Sequence, residues 1–277
     1  MNNTVTSVEF QYIRELVYSR AAIVLDDGKE YLVESRLQPL ARRLAEGSIP
    51  KLVRRLRDEP LNVIHNEVVE AMTTNETSFF RDRYPFDAMS QHVLPALSTM
   101  RGGAPLTIWS AASSSGQEAY SLGILIHEKF PELLGGRVRC YASDISTSML
   151  SRAVEGRYSH LEVNRGLPAQ LLVKYFERRG VDWEIKDSVR RMVEFRQMNL
   201  AAPWAPLPQM DVVFMRNVLI YFDNETKRAV LDRLRRVLKP DGFLFLGAAE
   251  TTLNLDDSYE RVLFDKATCY RLRNGGA

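Results

Sequence analysis

The chain has 277 residues, 45% hydrophobic and 26% charged, the proportions of a folded globular protein rather than a disordered one. That length holds one large domain or two unequal ones, with an ample core. The net charge of +2 argues against a molecule held as a whole by nucleic acid, and no run of eighteen apolar residues offers a membrane span. Cys140 and Cys269 lie far apart in apolar surroundings and suit a reducing compartment as core fillers. His65, His92, His127 and His160 lack the spacing of metal ligands, so no metal site is expected. Glu9 and Arg14 fall inside an amphipathic N-terminal run, which does not read as a signal peptide, and the expected location is cytoplasmic.

Residues 1–75 read as helices alone, a small helical domain. The stretch 8–19 places Phe10, Ile13, Leu16 and Val17 on one face, and Asp26-Asp27-Gly28-Lys29 breaks the pattern. A second helix over 31–44 turns Leu32, Leu37, Leu40 and Leu44 inward, and Pro39 is expected to kink or break it. Residues 51–57 and 62–72 supply two more. The domain surface is basic, with Arg36, Arg42, Arg43, Lys51, Arg54, Arg55 and Arg57, and Arg36 and Arg43 share a face at seven-residue spacing. Such a strip is either a solvated face or a dock for an acidic protein. No aromatic residues interleave to stack on bases.

The segment 72–82, polar, then aromatic, then charged, has no period and reads as a loop able to cover a site. The region 76–95 is taken as a linker over that site and 96–277 as the second domain. Strands and helices alternate there: strand 106–109, helix 120–130, strand 137–142, helix 146–154, strands 193–196 and 211–215, helix 225–238, strand 242–246, and a closing antiparallel pair at 259–264 and 268–272. The pattern specifies an α/β, doubly wound, mostly parallel sheet with a terminal antiparallel hairpin, whose ligand lies at the carboxyl ends of the strands. About 165–192 does not fit the alternation. A helix near 168–176 precedes short runs at 176–179, 183–186 and 189–192, expected to form an inserted antiparallel β-subdomain.

The stretch 106–125 combines a strand, the small residues Ser110 to Gly116 and a helix, the geometry in which a ligand meets free N–H groups. Gly116 is its one loop glycine, so neither the dinucleotide fingerprint nor the phosphate-binding loop is met. Glu118 in the first helical turn points to a cationic or sugar-like ligand rather than a phosphate. Asp144, after the second strand, stands where a ribose would be gripped. A ribose without its pyrophosphate, carrying a small cation, describes S-adenosyl-L-methionine.

Five runs then carry a resemblance: Thr74-Asn75-Glu76-Thr77-Ser78-Phe79-Phe80-Arg81; Trp109-Ser110-Ala111-Ala112-Ser113-Ser114-Ser115-Gly116-Gln117-Glu118-Ala119-Tyr120-Ser121; Ser143-Asp144-Ile145; Arg216-Asn217-Val218-Leu219-Ile220-Tyr221-Phe222; and Leu238-Lys239-Pro240-Asp241-Gly242. In order and spacing they resemble the CheR family of chemotaxis receptor glutamate O-methyltransferases. Ser113, Gln117 and Ala119 depart from the family's common cysteine, glutamate and proline without removing a group the chemistry needs.

The resemblance implies a Rossmann-like class I S-adenosylmethionine-dependent methyltransferase domain beside an all-helical N-terminal domain, with a small inserted β-subdomain. It implies that Asn75, Thr77, Arg81, Glu118, Asp144, Asn199, Leu200, Arg216 and Asn217 contact or frame S-adenosyl-L-methionine, with Arg81 and Tyr221 near the transferred methyl. The product would be S-adenosyl-L-homocysteine, and the partner the cytoplasmic helical bundle of membrane chemoreceptors, docked through the face bearing Arg36 and Arg43. The short turn between Arg179 and Trp183 favours an enzyme that needs no tether peptide from the receptor.

Overall fold

A computed structural model describes residues 5–273. Its contacts divide the chain into two compact units, one holding the described residues up to Thr74 with Tyr221–Thr226, the other holding Asn75–Ile220 and the described residues from Lys227 onward.

The first unit is helical: α1 (Ser7–Ala21), α2 (Glu30–Arg43), α3 (Ile49–Asp58) and α4 (Val63–Met72). Thr6 and Glu9 close a capping box at the start of α1, whose buried face is Phe10, Ile13, Leu16 and Val17. Helix α2 runs unbroken through Pro39. The ring forfeits one backbone bond, and burial of Val33, Leu37, Leu40 and Ala41 holds the turn regardless. Leu32 and Leu44 are only half-buried, because the buried stripe is phased on Val33 and Ala41. Asn62 and His65 cap α4, and His65 Nε2 lies 2.9 Å from the Leu56 carbonyl, so this buried histidine is structural.

The second unit opens with α5 (Tyr84–Ala88), one π-helical turn (Met89–Val93) and α6 (Leu94–Arg101). Next come β1 (Leu106–Ala111), α7 (Gln117–Lys129), β2 (Val138–Asp144) and α8 (Thr147–Glu155). The inserted part holds β3 (Arg157–Tyr158), α9 (His160–Asn164), α10 (Ala169–Tyr175), β4 (Phe176–Arg179), β5 (Asp182–Ile185) and α11 (Asp187–Arg190). Then follow β6 (Val193–Gln197), β7 (Met210–Met215), α12 (Asn224–Val237), β8 (Leu238–Leu246), β9 (Tyr259–Phe264) and β10 (Ala267–Leu272). The main sheet has the order β6-β2-β1-β7-β8-β10-β9; the first five strands run parallel, and β10 runs against them, pairing antiparallel with both β8 and β9.

The small antiparallel sheet is ordered β3-β5-β4 and turns at Gly180 and Val181. The run 189–192 is not its third strand. Lys186 N-caps α11, the Asp187 carboxylate meets both Arg190 and Arg191, and the position in the sheet falls to the two-residue β3.

Register brings the strand ends level. Ala111 pairs with Ser143 on β2 and with Met215 on β7, and Met215 pairs with Leu246 on β8. Strand β1 lies between β2 and β7, the point from which the connections wind in opposite directions and a crevice opens. At the opposite end of the sheet, Asp211 is fully buried and accepts from Arg101 Nε at 2.6 Å, Lys239 Nζ at 2.9 Å and the Thr107 N–H at 2.8 Å. Arg101 also forks onto Asp241, with both bonds at 2.6 Å. The network pins the end of α6 to β7 and to the start of β8.

Hydrogen bonding to Arg101, the largest influence, holds the Asp241 carboxyl below its usual range. A carboxyl whose folded pKa is depressed stabilises above its unfolded value, near 3.9, and loses that contribution as pH falls through the folded value. Asp241→Asn should therefore lower Tm at neutral pH, with the gap to wild type closing below about pH 4. Arg101→Met, which leaves Lys239 as the one cation on the buried Asp211, should cost about 3 kcal/mol by urea unfolding.

Candidate active site

The β1–α7 loop gets its shape from backbone that bends left-handed at alternate residues, Ala112 (φ 55°), Ser114 (φ 50°) and Gly116 (φ 93°). A side chain on Gly116 would meet Ala153 at 3.0 Å as well as an unfavourable φ. The loop is fastened by its neighbours. The Ser114 N–H donates to Asp144 Oδ2 at 2.7 Å, the Ser114 hydroxyl to the Asn75 carbonyl at 2.9 Å, and the Tyr158 hydroxyl to the Ser115 carbonyl at 2.8 Å. Burial pushes the Tyr158 hydroxyl well above its ordinary pKa, so it remains a donor.

Asp144 also holds the fold locally. Its Oδ1 accepts the Ser146 N–H at 2.9 Å, and its carbonyl takes the Met198 N–H at 2.8 Å, tying the end of β2 to the segment after β6. That Met198 bond leads into the turn in which Asn199 Oδ1 accepts the Ala201 N–H at 3.0 Å and the Leu200 carbonyl accepts Trp204 Nε1 at 3.1 Å. Leu200 itself is buried.

An ion cluster stands at the carboxyl end of β7. Arg216, 6% exposed, donates from Nη1 to Glu118 Oε2 at 2.9 Å and from Nη2 to Asp82 Oδ2 at 2.6 Å and the Arg81 carbonyl at 3.0 Å. The other oxygen of Glu118 accepts the Ser110 hydroxyl at 2.8 Å. Glu118 is thus paired, not a lone countercharge, but two carboxylates against one guanidinium still leave the cluster negative. Arg81 turns its own guanidinium to the Glu76 carbonyl at 2.8 Å and stays half-buried. Asn75 and Thr77 are half-buried in the same segment.

Asn217 follows Arg216 with φ 59°, and its N–H is one of four that converge on Glu250. That carboxylate accepts from Gly247 at 2.6 Å, from Asn217 and Val218 at 2.8 Å each and from Ile220 at 3.3 Å. A side chain on Gly247 would sit 2.7 Å from Glu250 Oε2 and 2.9 Å from the Asn217 nitrogen, so only glycine lets these two loops touch. Tyr221 ends the short 3₁₀ turn Leu219–Tyr221 and sorts with the helical unit, where its carbonyl accepts the Val24 N–H at 2.9 Å.

The structure thus joins Glu118 to Arg216, and Asn75 to Asp144 through Ser114. Tyr221 and Arg81 sort with different units. Sequence reasoning missed Asp82, Ser110 and Glu250. Asp82 adjoins the Arg81 motif and Ser110 lies inside the β1–α7 run, so both were within reach; Glu250 has no local signal. Two of the five buried side-chain atoms without a hydrogen-bond partner among the described residues lie here, Ser113 Oγ and Arg216 Nε, one hydroxyl and one cationic donor. With the acceptors of Glu118 and Asp144, this set fits the hydroxyls, carboxylate and cationic groups of S-adenosyl-L-methionine.

Glu250→Ala should strand four N–H groups and cost about 3 kcal/mol, read by urea unfolding, with weakened S-adenosyl-L-homocysteine affinity by calorimetry. Glu250→Gln, which keeps one acceptor oxygen, should cost less on both readouts.

Residues 8–73 match the CheR methyltransferase all-alpha domain, and residues 75–268 the CheR methyltransferase SAM binding domain. Chemotaxis protein methyltransferase 1 of Pseudomonas aeruginosa is 44% identical over 271 residues, covering 96% of this chain and 98% of its own. Chemotaxis protein methyltransferase Cher2 of Pseudomonas putida is 39% identical over 271 residues, with the same coverage of 96% and 98%. A chemotaxis protein methyltransferase of Vibrio parahaemolyticus is 39% identical over 274 residues, covering 98% of each chain. Two domain matches in order and relatives aligned over nearly their whole length show that the chain belongs to the CheR methyltransferase family.

Proposed function

We propose that the chain methylates glutamate side chains of methyl-accepting chemotaxis receptors, and that the cluster of Arg216, Glu118 and Asp82 is the centre around which its site is built. That cluster is the observation that carries the reading, because it sets a partly buried, net negative wall at the carboxyl end of the sheet inside a SAM-binding domain. When bound, S-adenosyl-L-methionine supplies a sulfonium methyl that a carboxylate oxygen takes as the C–S electron pair returns to sulfur, leaving a glutamyl γ-methyl ester and S-adenosyl-L-homocysteine.

The residues proposed to hold it are Asn75, Thr77, Arg81, Glu118, Asp144, Asn199, Leu200, Arg216 and Asn217. Glu118 and Asp82 offset cationic charge, Arg216 presents Nε to a carboxylate, and Asp144 offers acceptor oxygens to hydroxyls. The segment 76–95 acts as a cover over the site. Its ties support this: Arg216 holds the Arg81 carbonyl, and the Phe80 N–H donates to the Ser121 hydroxyl at 2.9 Å.

The acceptor needs no base. A glutamate with an ordinary pKa of about 4.3 is ionised at neutral pH, and it must instead lose water and be aimed. Arg81 carries the positive charge proposed to steer it, with Tyr221 holding it or the cofactor; orientation of this kind is worth roughly 7–11 kcal/mol at best.

The receptor is proposed to dock on the basic face of the helical unit, in the cytoplasm. Arg36 is spent on the Met72 carbonyl at 2.6 Å and the Thr74 hydroxyl at 2.8 Å, and Arg43 pairs with Glu67 at 2.9 Å. Arg42, Lys51 and Arg54 are exposed and carry the charge of that face outward. The two-residue turn at Gly180 and Val181 supports an enzyme that works without a tether peptide. Among the described residues no helix is long and apolar enough to cross a membrane.

Incubation of a receptor cytoplasmic fragment with methyl-labelled cofactor should yield a base-labile ester that releases labelled methanol, and no label in any fragment would reject the reaction. Arg81→Ala should lower kcat about tenfold or more at saturating cofactor, and an unchanged kcat would remove Arg81 from the steering role. Raising ionic strength from about 0.01 M to 0.15 M shortens the screening length from about 30 Å to about 8 Å, so KM for receptor should rise; a flat KM would reject electrostatic docking.

A further inference from the structure

Strands β6 and β7 belong to the same parallel sheet, yet residues 198–209 between them form no helix. Pro203, Pro206 and Pro208 lack the N–H groups that a crossover helix would use. The segment that carries Asn199 and Leu200 therefore has no element of its own to brace it, and α12 holds it from outside. The Gln209 side chain donates to the Arg236 carbonyl at 2.7 Å and fastens the far end. Arg233 fastens the near end.

Three consecutive carbonyls converge on the Arg233 guanidinium. Nη1 donates to Leu200 at 2.8 Å and to Ala202, and Nη2 reaches Ala201 at 3.3 Å, while Nε stays on the helix with the Ala229 carbonyl at 3.0 Å. Carbonyl dipoles aimed at one point repel one another, and a cation placed there turns the repulsion into attraction. Arg235 and Arg236 share Asp232, whereas among the described residues the half-buried Arg233 forms no salt bridge, so its charge is spent on the segment. Its guanidinium carbon lies 5.5 Å from the centre of the Trp204 ring, which meets Trp109 of β1 edge-on at 5.2 Å. Trp109 in turn donates to the hydroxyl of Ser143, beside Asp144, at 2.9 Å.

We infer that Arg233 is a positioning residue for the cofactor: by gathering the carbonyls of residues 200–202 it sets the turn in which Asn199 and Leu200 stand. This rests on the assignment of those two residues to S-adenosyl-L-methionine, and adds the side chain that aims them. The turn's own bonds, Asn199 Oδ1 to the Ala201 N–H at 3.0 Å and the Asn199 carbonyl to the Ala202 N–H at 3.2 Å, give it shape but not orientation. The Met198 N–H, on the Asp144 carbonyl, holds its start to β2, and Arg233 holds its other side to α12.

Two variants test the clamp, with Tm recorded to show that each is folded. Arg233→Met keeps an apolar stem over Trp204 and removes every donor; Arg233→Lys keeps the charge but cannot bridge three carbonyls. Calorimetric titration with S-adenosyl-L-homocysteine should show Kd raised about tenfold in Arg233→Met and about threefold in Arg233→Lys. With a receptor cytoplasmic fragment as acceptor, KM for S-adenosyl-L-methionine should rise in parallel, while kcat at saturating cofactor and KM for the fragment stay at wild-type values. Asn199→Ala should also raise Kd, and adding Arg233→Met to it should raise Kd further by much less than tenfold, since both act through one turn. Asp241→Asn, which lowers Tm from the opposite end of the sheet, controls for stability alone and should keep the wild-type Kd. Unchanged Kd in both Arg233 variants, additive effects in the double variant, or an equal rise of Kd in Asp241→Asn would each overturn the inference. A wild-type protein that binds no S-adenosyl-L-homocysteine would instead strike down the cofactor assignment beneath it.

Discussion

Arg216 is the residue on which the ion cluster at the carboxyl end of the sheet depends. It follows β7, where the sheet register sets it level with the ends of β1 and β8, and it leaves water to face two carboxylates and a carbonyl. Stripping a guanidinium of water costs several kcal/mol, which only well-directed partners offset. The planar fork suits Glu118 on one nitrogen and Asp82 on another, a geometry that lysine could not reproduce. Through these bonds one side chain binds together the first turn of α7, the end of β7 and the segment before α5. The candidate site is therefore a junction of elements rather than a property of one loop.

A rigid floor beneath that junction makes it useful. Asp211, Arg101, Lys239 and Asp241 form a second ionic network at the amino end of the same strands, and it clamps α6 to the sheet. Between the two networks lie Val212, Val213 and Phe214, fully buried, with Phe214 and Phe245 stacked at 4.6 Å. Charge is confined to the two ends of β7 and apolar packing fills its middle, so the strand has no register in which it could slip without burying an unpaired ion. Cys140 and Cys269 belong to this interior. Burial raises both thiols to about 12, which leaves them inert.

Much of this was legible in the sequence. Alternating apolar strands and helices specified a parallel sheet, since short β-branched runs separated by amphipathic helices have few other ways to bury both faces. The loop at Ser110 to Gly116 announced itself through small residues, and the inward face of α1 through its period. What escaped were features set by contact rather than by local pattern. Strand β3 is two residues long, too short for any alternation to show. Val189 is buried in a helical turn because Asp187 draws back Arg190 and Arg191, and an apolar run of four does not reveal that. In α2, Leu37 and Leu40 are buried as their spacing indicated, but Val33 and Ala41 complete the stripe in place of Leu32 and Leu44. Glu250 lay beyond reach altogether, since its four partners stand up to 33 residues away and no neighbouring residue marks it.

The helical unit is completed by Tyr221–Thr226, a segment distant in the chain: the Tyr221 carbonyl takes the Val24 N–H, and Tyr18 reaches Asp223 at 2.6 Å. During synthesis the first helices must leave the ribosome long before these partners exist. At about 5–20 residues per second, the wait between residue 24 and residue 221 is on the order of ten seconds or more. For that interval the nascent chain holds an unfinished helical cluster, and Glu250, the acid that anchors the loop after β7, is still untranslated. The loop after β7 thus gains its four-bond anchor only once translation has passed residue 250.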